Sequence, residues 1–130
     1  MRILLDTHAL AWAVGQPSKL SDRGRKLLAD PNCVSFVSTA SVWEMSIKCR
    51  GGRWPEVLPF MNEGLYAQFL DELRAVELAV SSRHARLAGQ FEVDHKDPFD
   101  RLIAAQAFLE GLPLLSKDDA LDGFPITRIW

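Results

Sequence analysis

The sequence contains little of what marks several large classes of protein. It has two cysteines among 130 residues, Cys33 and Cys49, and their spacing matches no zinc or redox motif. One possible bridge is not a disulfide framework, so we expect a reducing compartment. No apolar run approaches the roughly 20 residues of a membrane span, and the apolar run after Arg2 is too short for a signal-peptide core. These absences predict a cytoplasmic protein that contacts no membrane.

No sign of charge dominates either. The chain has 15 Lys and Arg residues against 17 Asp and Glu residues, a net charge of −2, which excludes a protein that coats nucleic acid by bulk basicity. A nuclease is not excluded, because a cluster of catalytic acids lowers the net charge and conceals local basic surface. The hydrophobic fraction of 48% and the charged fraction of 25% are typical of a globular protein. With neither a linker nor a repeat, the length predicts one domain over residues 1–130.

Short apolar runs alternate with segments of helical character along the chain. The predicted strands are residues 3–5, 34–37, 75–78, 112–115 and 126–129. The predicted helices are residues 8–14, 20–29, 41–49, 60–73, a segment from Ser81 or Ser82 to Gln90, and residues 98–109. This alternation predicts an α/β sandwich around a parallel sheet. In such sheets functional residues collect at the carboxyl ends of the strands.

Four carboxylates lie where predicted strands end or where predicted helices begin: Asp6, Glu44, Asp100 and Asp118. If they converge at one edge of the sheet, they repel one another and need a cation. Oxygen ligands with few His or Cys residues favour Mg²⁺ or Mn²⁺. Such a site is typically used for metal-assisted attack of water on a phosphodiester.

The first two carboxylates also have structural interpretations. Asp6 precedes a helix and would be a good N-cap. Glu44 ends the pattern Ser41-Val-Trp-Glu44, which is typical of a capping box. Lys48 follows four residues later, so a surface ion pair is available. For Glu44 alone, the structural interpretation is favoured.

The third carboxylate is more informative because its neighbour already has a role. Asp97 suits the N-cap and Pro98 the first helical position, so Asp97 is expected to support the site from a structural position. Asp100 heads a stripe of small residues at helical spacing: Ala104, Ala107 and Gly111. Small residues allow close approach of a neighbouring element, which draws Asp100 toward the interior, where a charge needs a partner. We therefore expect Asp100, rather than Asp97, to be a metal ligand.

Several other polar and aromatic residues have two open interpretations. Ser116 could hold a ligand by a hydrogen bond or cap the next short helix. The loop residues His95 and Lys96 could assist the site, although a solvated loop is the simpler interpretation. The four tryptophans, 12, 43, 54 and 130, are expected in the core or an interface rather than as stacking platforms for bases.

Four motifs in order give the sequence a resemblance to a known family. They are LLDTHALAW (4–12), SVWEMSIK (41–48), HKDPFDRLIAAQA (95–107) and LSKD (115–118). With these motifs the chain resembles the PIN-domain family, most closely its VapC-type toxins, over nearly its whole length. The resemblance implies a PIN-like α/β/α sandwich with a central parallel β-sheet. Residues 51–78 depart from the family pattern, so contacts with substrate or partner are not carried over through that segment.

The resemblance also implies an activity and partners. It implies a Mg²⁺- or Mn²⁺-dependent endoribonuclease without a protein nucleophile. The acids fall on Asp6, Glu44, Asp100 and Asp118, with Ser116 at the preceding Ser/Thr position and with Thr7 and Asp97 in support. It further implies a homodimer and a cognate VapB-type antitoxin whose C-terminal segment lies across the acidic site. The alternative is a PIN scaffold that binds RNA or protein without cutting; the presence of all four acids argues against it. The target RNA is not fixed by the sequence.

Overall fold

The computed structural model describes residues 1–130, and a five-stranded sheet lies at its centre. The strands are β1 (Arg2–Leu5), β2 (Val34–Ser38), β3 (Ala75–Leu78), β4 (Leu114–Leu115) and β5 (Arg128–Ile129). Their order in the sheet is β3-β2-β1-β4-β5, and every neighbouring pair is parallel. The predicted parallel sheet is therefore confirmed, with β1 in the middle.

Six α-helices and three short 3₁₀ segments connect the strands. The α-helices are α1 (Thr7–Gly15), α2 (Asp22–Ala29), α3 (Thr39–Arg50), α4 (Glu63–Leu73), α5 (Ser82–Gln90) and α6 (Pro98–Glu110). The 3₁₀ segments are Pro17–Lys19, Pro55–Met61 and Asp119–Gly123. None of the helices combines the length and apolar character needed to cross a membrane.

Both faces of the sheet are buried, which makes the fold a three-layer α/β/α sandwich. Ile3 and Leu5 of β1 belong to a core shared with α1 and α3, whereas Leu4 between them belongs to a second core shared with α6. Alternate side chains of a strand point to opposite faces, so a continuous apolar run such as β1 supplies both cores. The small-residue stripe of α6 is confirmed as a packing surface, because Ala104 and Ala107 are buried in the second core.

Several element boundaries differ from the sequence predictions. The last two strands have two residues each rather than four. The helix predicted over residues 60–73 is wrong at its start: a 3₁₀ segment contains Pro59, and Asn62 then caps α4 by accepting a hydrogen bond from the Leu65 amide at 2.9 Å. The third helix begins two residues earlier than predicted, because the Ser38 hydroxyl caps it from the end of β2 and accepts a hydrogen bond from the Ala40 amide at 3.0 Å.

Candidate functional site

Asp6 follows the central strand directly and is also the N-cap of α1. Its Oδ1 accepts a hydrogen bond from the Ala9 amide at 2.7 Å, so the structural interpretation is confirmed. The residue is only 8% exposed. Burial raises the pKa of Asp6 to about 6, and the negative charges of Asp100 and Glu44 add to the rise, while the hydrogen bonds of Ser116 and Ala9 oppose it. Asp6 thus combines a capping role with a costly buried charge.

Glu44 lies on α3 and points into the protein. The capping-box interpretation is wrong: Ser38 is the N-cap, and Ser41 is buried within the helix, where it accepts a hydrogen bond from the Thr7 hydroxyl at 3.0 Å. The expected ion pair exists, with 2.8 Å between Lys48 Nζ and Glu44 Oε2. It is not a surface pair, however, because Glu44 is only 6% exposed. The pattern Ser41 to Glu44 suggested that the helix starts near Ser41, whereas Ser38 at the end of β2 caps the helix, which begins at Thr39.

Asp97 is the N-cap of α6, as the sequence predicted, whereas Asp100 points toward the interior. Asp97 caps α6, and its Oδ1 accepts hydrogen bonds from the Phe99 amide at 2.8 Å and the Asp100 amide at 3.1 Å. Asp100 is half-buried, and its Oδ2 lies 2.8 Å from His95 Nε2. Burial raises the pKa of Asp100, while the hydrogen bond from His95 opposes the rise. His95 therefore belongs to the site rather than to a solvated loop.

Asp118 and Ser116 follow the fourth strand. Asp118, rather than Ser116, caps the next short helix: its Oδ1 accepts a hydrogen bond from the Ala120 amide at 3.0 Å. Ser116 is fully buried, and its hydroxyl accepts a hydrogen bond from the Asp118 amide at 3.1 Å. The capping interpretation of Ser116 is wrong, and the residue instead lies behind Asp118 and next to Asp6.

All four carboxylates face one polar cleft of about 160 Å³ at the carboxyl ends of β1, β2 and β4. No hydrophobic side chain lines this acidic cleft, whose residues are Asp6, Thr7, His8, Glu44, Lys48, Asp97, Asp100 and Asp118. Six of the seven site residues predicted from the sequence therefore line it, and the seventh, Ser116, lies behind it. Parallel strands bring residues that are distant in sequence to one edge.

The chemistry of the cleft fits a hard divalent cation. Its donors include carboxylate and hydroxyl oxygens. Burial raises the pKa of Asp6 and of Asp100, so their charged forms are costly without a positive partner. No group of three His, Cys, Asp or Glu side chains surrounds a common point, however. Lys48 contacts one oxygen of Glu44 and His95 contacts one oxygen of Asp100, so each of these carboxylates keeps its second oxygen for a cation.

Three further residues of the site are not among the site residues predicted from the sequence. Lys48 was recognised by its spacing from Glu44, but it was placed on the surface. His8 lines the cleft. Its ring is partly covered by its neighbours although the residue is exposed, and this partial burial together with the nearby Lys48 lowers its pKa. The only signal for His8 was its position two residues after Asp6. No local pattern indicated His95, because its contact with Asp100 depends on the path of the loop before α6.

Solved structures with a similar fold come from complexes of paired proteins. A chain of the crystal structure of VapBC2 from Rickettsia felis, bound to a DNA fragment from their promoter, is 16% identical, with a TM-score of 0.69 over 99% of this chain and 98% of that chain. A chain of the crystal structure of FitAcB from Neisseria gonorrhoeae is 16% identical, with a TM-score of 0.62 over 100% of this chain and 97% of that chain. At this level of identity the likeness concerns the fold.

The family model gives the assignment. No curated protein matches the sequence. The model of the PIN domain matches residues 3–125, which include every strand except β5, all six helices and every residue of the acidic cleft. The chain therefore belongs to the PIN domain family.

Proposed function

We propose that this protein is a metal-dependent endoribonuclease and the toxin of a VapBC-type toxin–antitoxin system. The observation that carries the proposal is the convergence of Asp6, Glu44, Asp100 and Asp118 on one polar cleft. A cleft that gathers four carboxylates against their mutual repulsion is costly for the fold, and it suits the chemistry of a divalent cation. The substrate is RNA, and the reaction is hydrolysis of a phosphodiester bond.

In this proposal the four carboxylates hold Mg²⁺ or Mn²⁺. The cation, when bound, supplies activation of water and stabilisation of the charge that develops on the phosphate. The chain itself contributes orientation: Asp97 fixes the start of α6 and hence the position of Asp100. Ser116 and the Ala9 amide fix the Asp6 carboxylate, and Thr7 links α1 to α3 through Ser41. No side chain is needed as a nucleophile, because water attacks the phosphorus.

The proposed partners are a cognate VapB-type antitoxin and a second copy of the chain. The fold likeness to chains from the VapBC2 and FitAcB structures supports the first, and the resemblance of the sequence motifs supports both. We place the protein in the cytoplasm, where its RNA substrate is found. Co-purification with the product of an adjacent small gene would identify the antitoxin.

One observation favours a second candidate, a PIN domain that binds without cutting. Two of the four carboxylates already have protein partners, Lys48 for Glu44 and His95 for Asp100. In this candidate both pairs persist and no cation enters, so that the cleft binds RNA or protein without hydrolysing a phosphodiester. The same assay separates the two candidates, since only the first requires cleavage.

The test is RNA cleavage by the purified chain with Mg²⁺ or Mn²⁺ and in excess EDTA. We expect cleavage of single-stranded or looped RNA only with the cation, and we expect Asp6→Asn and Asp100→Asn to abolish it. Asp71→Asn is the matched control, because Asp71 is an exposed acid on α4 outside the cleft, and this variant should cut normally. Full activity in EDTA, or unchanged cleavage by both cleft variants, would contradict the metal mechanism.

A further inference from the structure

Aromatic rings lie beside the acidic cleft. The imidazole of His8 stacks on the indole of Trp54, with ring centroids 4.5 Å apart and an interplanar angle of 25°. The indole of Trp12 lies 5.5 Å from the His8 ring at a steeper angle of 58°. His8 is exposed, whereas Trp12 and Trp54 are half-buried and pack against the core. The two tryptophans therefore support a ring that faces solvent.

The rings of His8 and Trp12 border a pocket of about 320 Å³, which we call the side pocket. Asp6, His8, Trp12, Lys117 and Asp118 line it. Three of these five residues, Asp6, His8 and Asp118, also line the acidic cleft. The side pocket and the cleft are thus neighbours, and a chain molecule whose reacting bond lies in the cleft would extend into the side pocket.

Lysines accompany the aromatic rings. Lys48 Nζ lies 5.2 Å from the centroid of the Trp54 ring, and Lys19 Nζ lies 6.0 Å from that of Trp12. Lys117 lines the side pocket itself. Aromatic rings with cationic side chains are the usual surface for single-stranded nucleic acid, since bases stack on the rings and phosphates contact the cations. In this arrangement the acids of the cleft would meet the reacting phosphate through a cation, whereas Lys117 of the side pocket would contact a neighbouring phosphate directly.

We propose that the side pocket binds the nucleotide next to the scissile phosphate of single-stranded RNA. This inference rests on the proposed ribonuclease function and assigns a substrate subsite to it. The base stacks on His8, with Trp12 at its edge and Trp54 backing the His8 ring, and Lys117 contacts the adjoining phosphate. Stacking on rings does not distinguish strongly among bases, so the subsite selects unpaired RNA rather than a particular sequence. Two of its rings, Trp12 and Trp54, are tryptophans that the sequence placed in the core or an interface.

The test compares RNA affinity in variants of His8, whose exposure makes its substitution mild for the fold. Anisotropy of a labelled single-stranded ribo-oligonucleotide is measured in EDTA and at low ionic strength, where binding is independent of cleavage. We expect His8→Ala to weaken binding about tenfold, which corresponds to the loss of one stacked base. His8→Phe keeps a ring and should bind like the unaltered chain. Phe108→Ala, which removes an exposed ring near the other end of α6, is the matched control and should have no effect.

A second measurement ties the effect to a base. A set of oligonucleotides, each with one abasic nucleotide at a different position, is tested with the unaltered chain and with His8→Ala. With the unaltered chain, an abasic nucleotide at one particular position should weaken binding about tenfold. With His8→Ala, an abasic nucleotide at that same position should change the affinity little. Three results would overturn the inference: the same abasic effect in both proteins, an unchanged RNA affinity of His8→Ala, or binding by His8→Phe as weak as that of His8→Ala. If the side pocket is instead a docking site for a protein segment, the RNA affinity of His8→Ala should be unchanged.

The two proposals fail separately. If the unaltered chain does not cut RNA with Mg²⁺ or Mn²⁺ but the His8 and abasic effects are present, the ribonuclease proposal fails and the base-binding site stands. If cleavage depends on the cation and His8→Ala binds RNA normally, the ribonuclease stands and the side pocket is not a base subsite.

Discussion

At the scale of single residues, Asp6 is where stability and the proposed activity conflict. Its pKa rises from 3.8 to about 6 in the folded protein, mainly because of burial. The folded state therefore holds the proton more tightly than the unfolded state, so stability falls as the pH rises from about 4 to about 6 and stays lower above that. Without a cation, Asp6→Asn should raise the free energy of unfolding at pH 8 by about 1–3 kcal/mol. Asparagine keeps the N-cap of α1, so that hydrogen bond is retained.

Urea unfolding in EDTA at pH 8 and near pH 4 measures this effect. The gain from Asp6→Asn should be present at pH 8 and nearly absent near pH 4, where the aspartate is neutral. Asp118→Asn is the control, because Asp118 is an exposed N-cap and its replacement keeps the cap. A variant less stable than the unaltered protein at pH 8 would contradict the proposed cost of the buried charge.

Single residues also define the limit of prediction from sequence. Asp6, Asp97 and Asp100 were placed correctly because each has a strong local signal: a strand end, an Asp-Pro helix start or a stripe of small residues. Taken alone, Glu44 favoured a structural interpretation, because its local pattern, Ser41 to Glu44, fits a capping box that the helix does not use; only the family resemblance placed it in the site. For His95 the choice between the site and a solvated loop stayed open, because its contact with Asp100 spans a loop and no short pattern encodes the path of that loop.

At the scale of elements, one side chain fixes that loop. The guanidinium of Arg101 donates four hydrogen bonds to backbone carbonyls: to Ala88 at 2.7 Å, to Phe91 at 2.6 Å, and to Val93 and His95 at 2.9 Å each. Arg101 thus joins the end of α5 to the segment that brings His95 to Asp100. A planar group with five donors can satisfy these carbonyls together, whereas an ammonium cannot.

Arg101→Lys should therefore loosen the segment 91–97 although it keeps the charge. We expect a loss of about 2 kcal/mol in the free energy of unfolding, because carbonyls lose their hydrogen bonds to a charged donor, and faster hydrogen exchange in residues 91–97 than elsewhere. Arg86→Lys is the control, since Arg86 is exposed on α5. Equal exchange in both variants would show that the loop keeps its path without the guanidinium.

The elements themselves were predictable to different degrees. The strands β1, β2 and β3 have apolar or β-branched runs that the sequence displays directly. The last two strands are short, and the apolar runs around them continue beyond the paired residues, so the extent of pairing depends on neighbours rather than on composition. The segment 51–78 was the hardest, because its prolines form a 3₁₀ turn that the helical pattern of residues 60–73 concealed.

At the scale of the whole molecule, the net charge of −2 conceals an uneven distribution. The four carboxylates proposed to hold the cation account for the excess of acid, and without them the 15 basic residues would outnumber the remaining acidic ones. The charge total was thus a poor guide to the partner, and the placement of a few carboxylates was a better one. The same uneven distribution predicts how the folded protein responds to a divalent cation.

A cation that binds the folded cleft and not the unfolded chain must stabilise the protein. Titration with Mg²⁺ or Mn²⁺ should raise the melting temperature, with a stabilisation of about 2.7 kcal/mol when the free cation is 100 times its dissociation constant. Asp6→Asn and Asp100→Asn should reduce that shift, because each removes a charged oxygen from the cleft, whereas Asp71→Asn should retain it. The cation should also remove the pH-dependent cost of Asp6, so the stability advantage of Asp6→Asn at pH 8 should shrink or reverse as cation is added. An equal shift in melting temperature for all four proteins would mean that the cation binds elsewhere, and no shift at all would favour the PIN domain that binds without cutting.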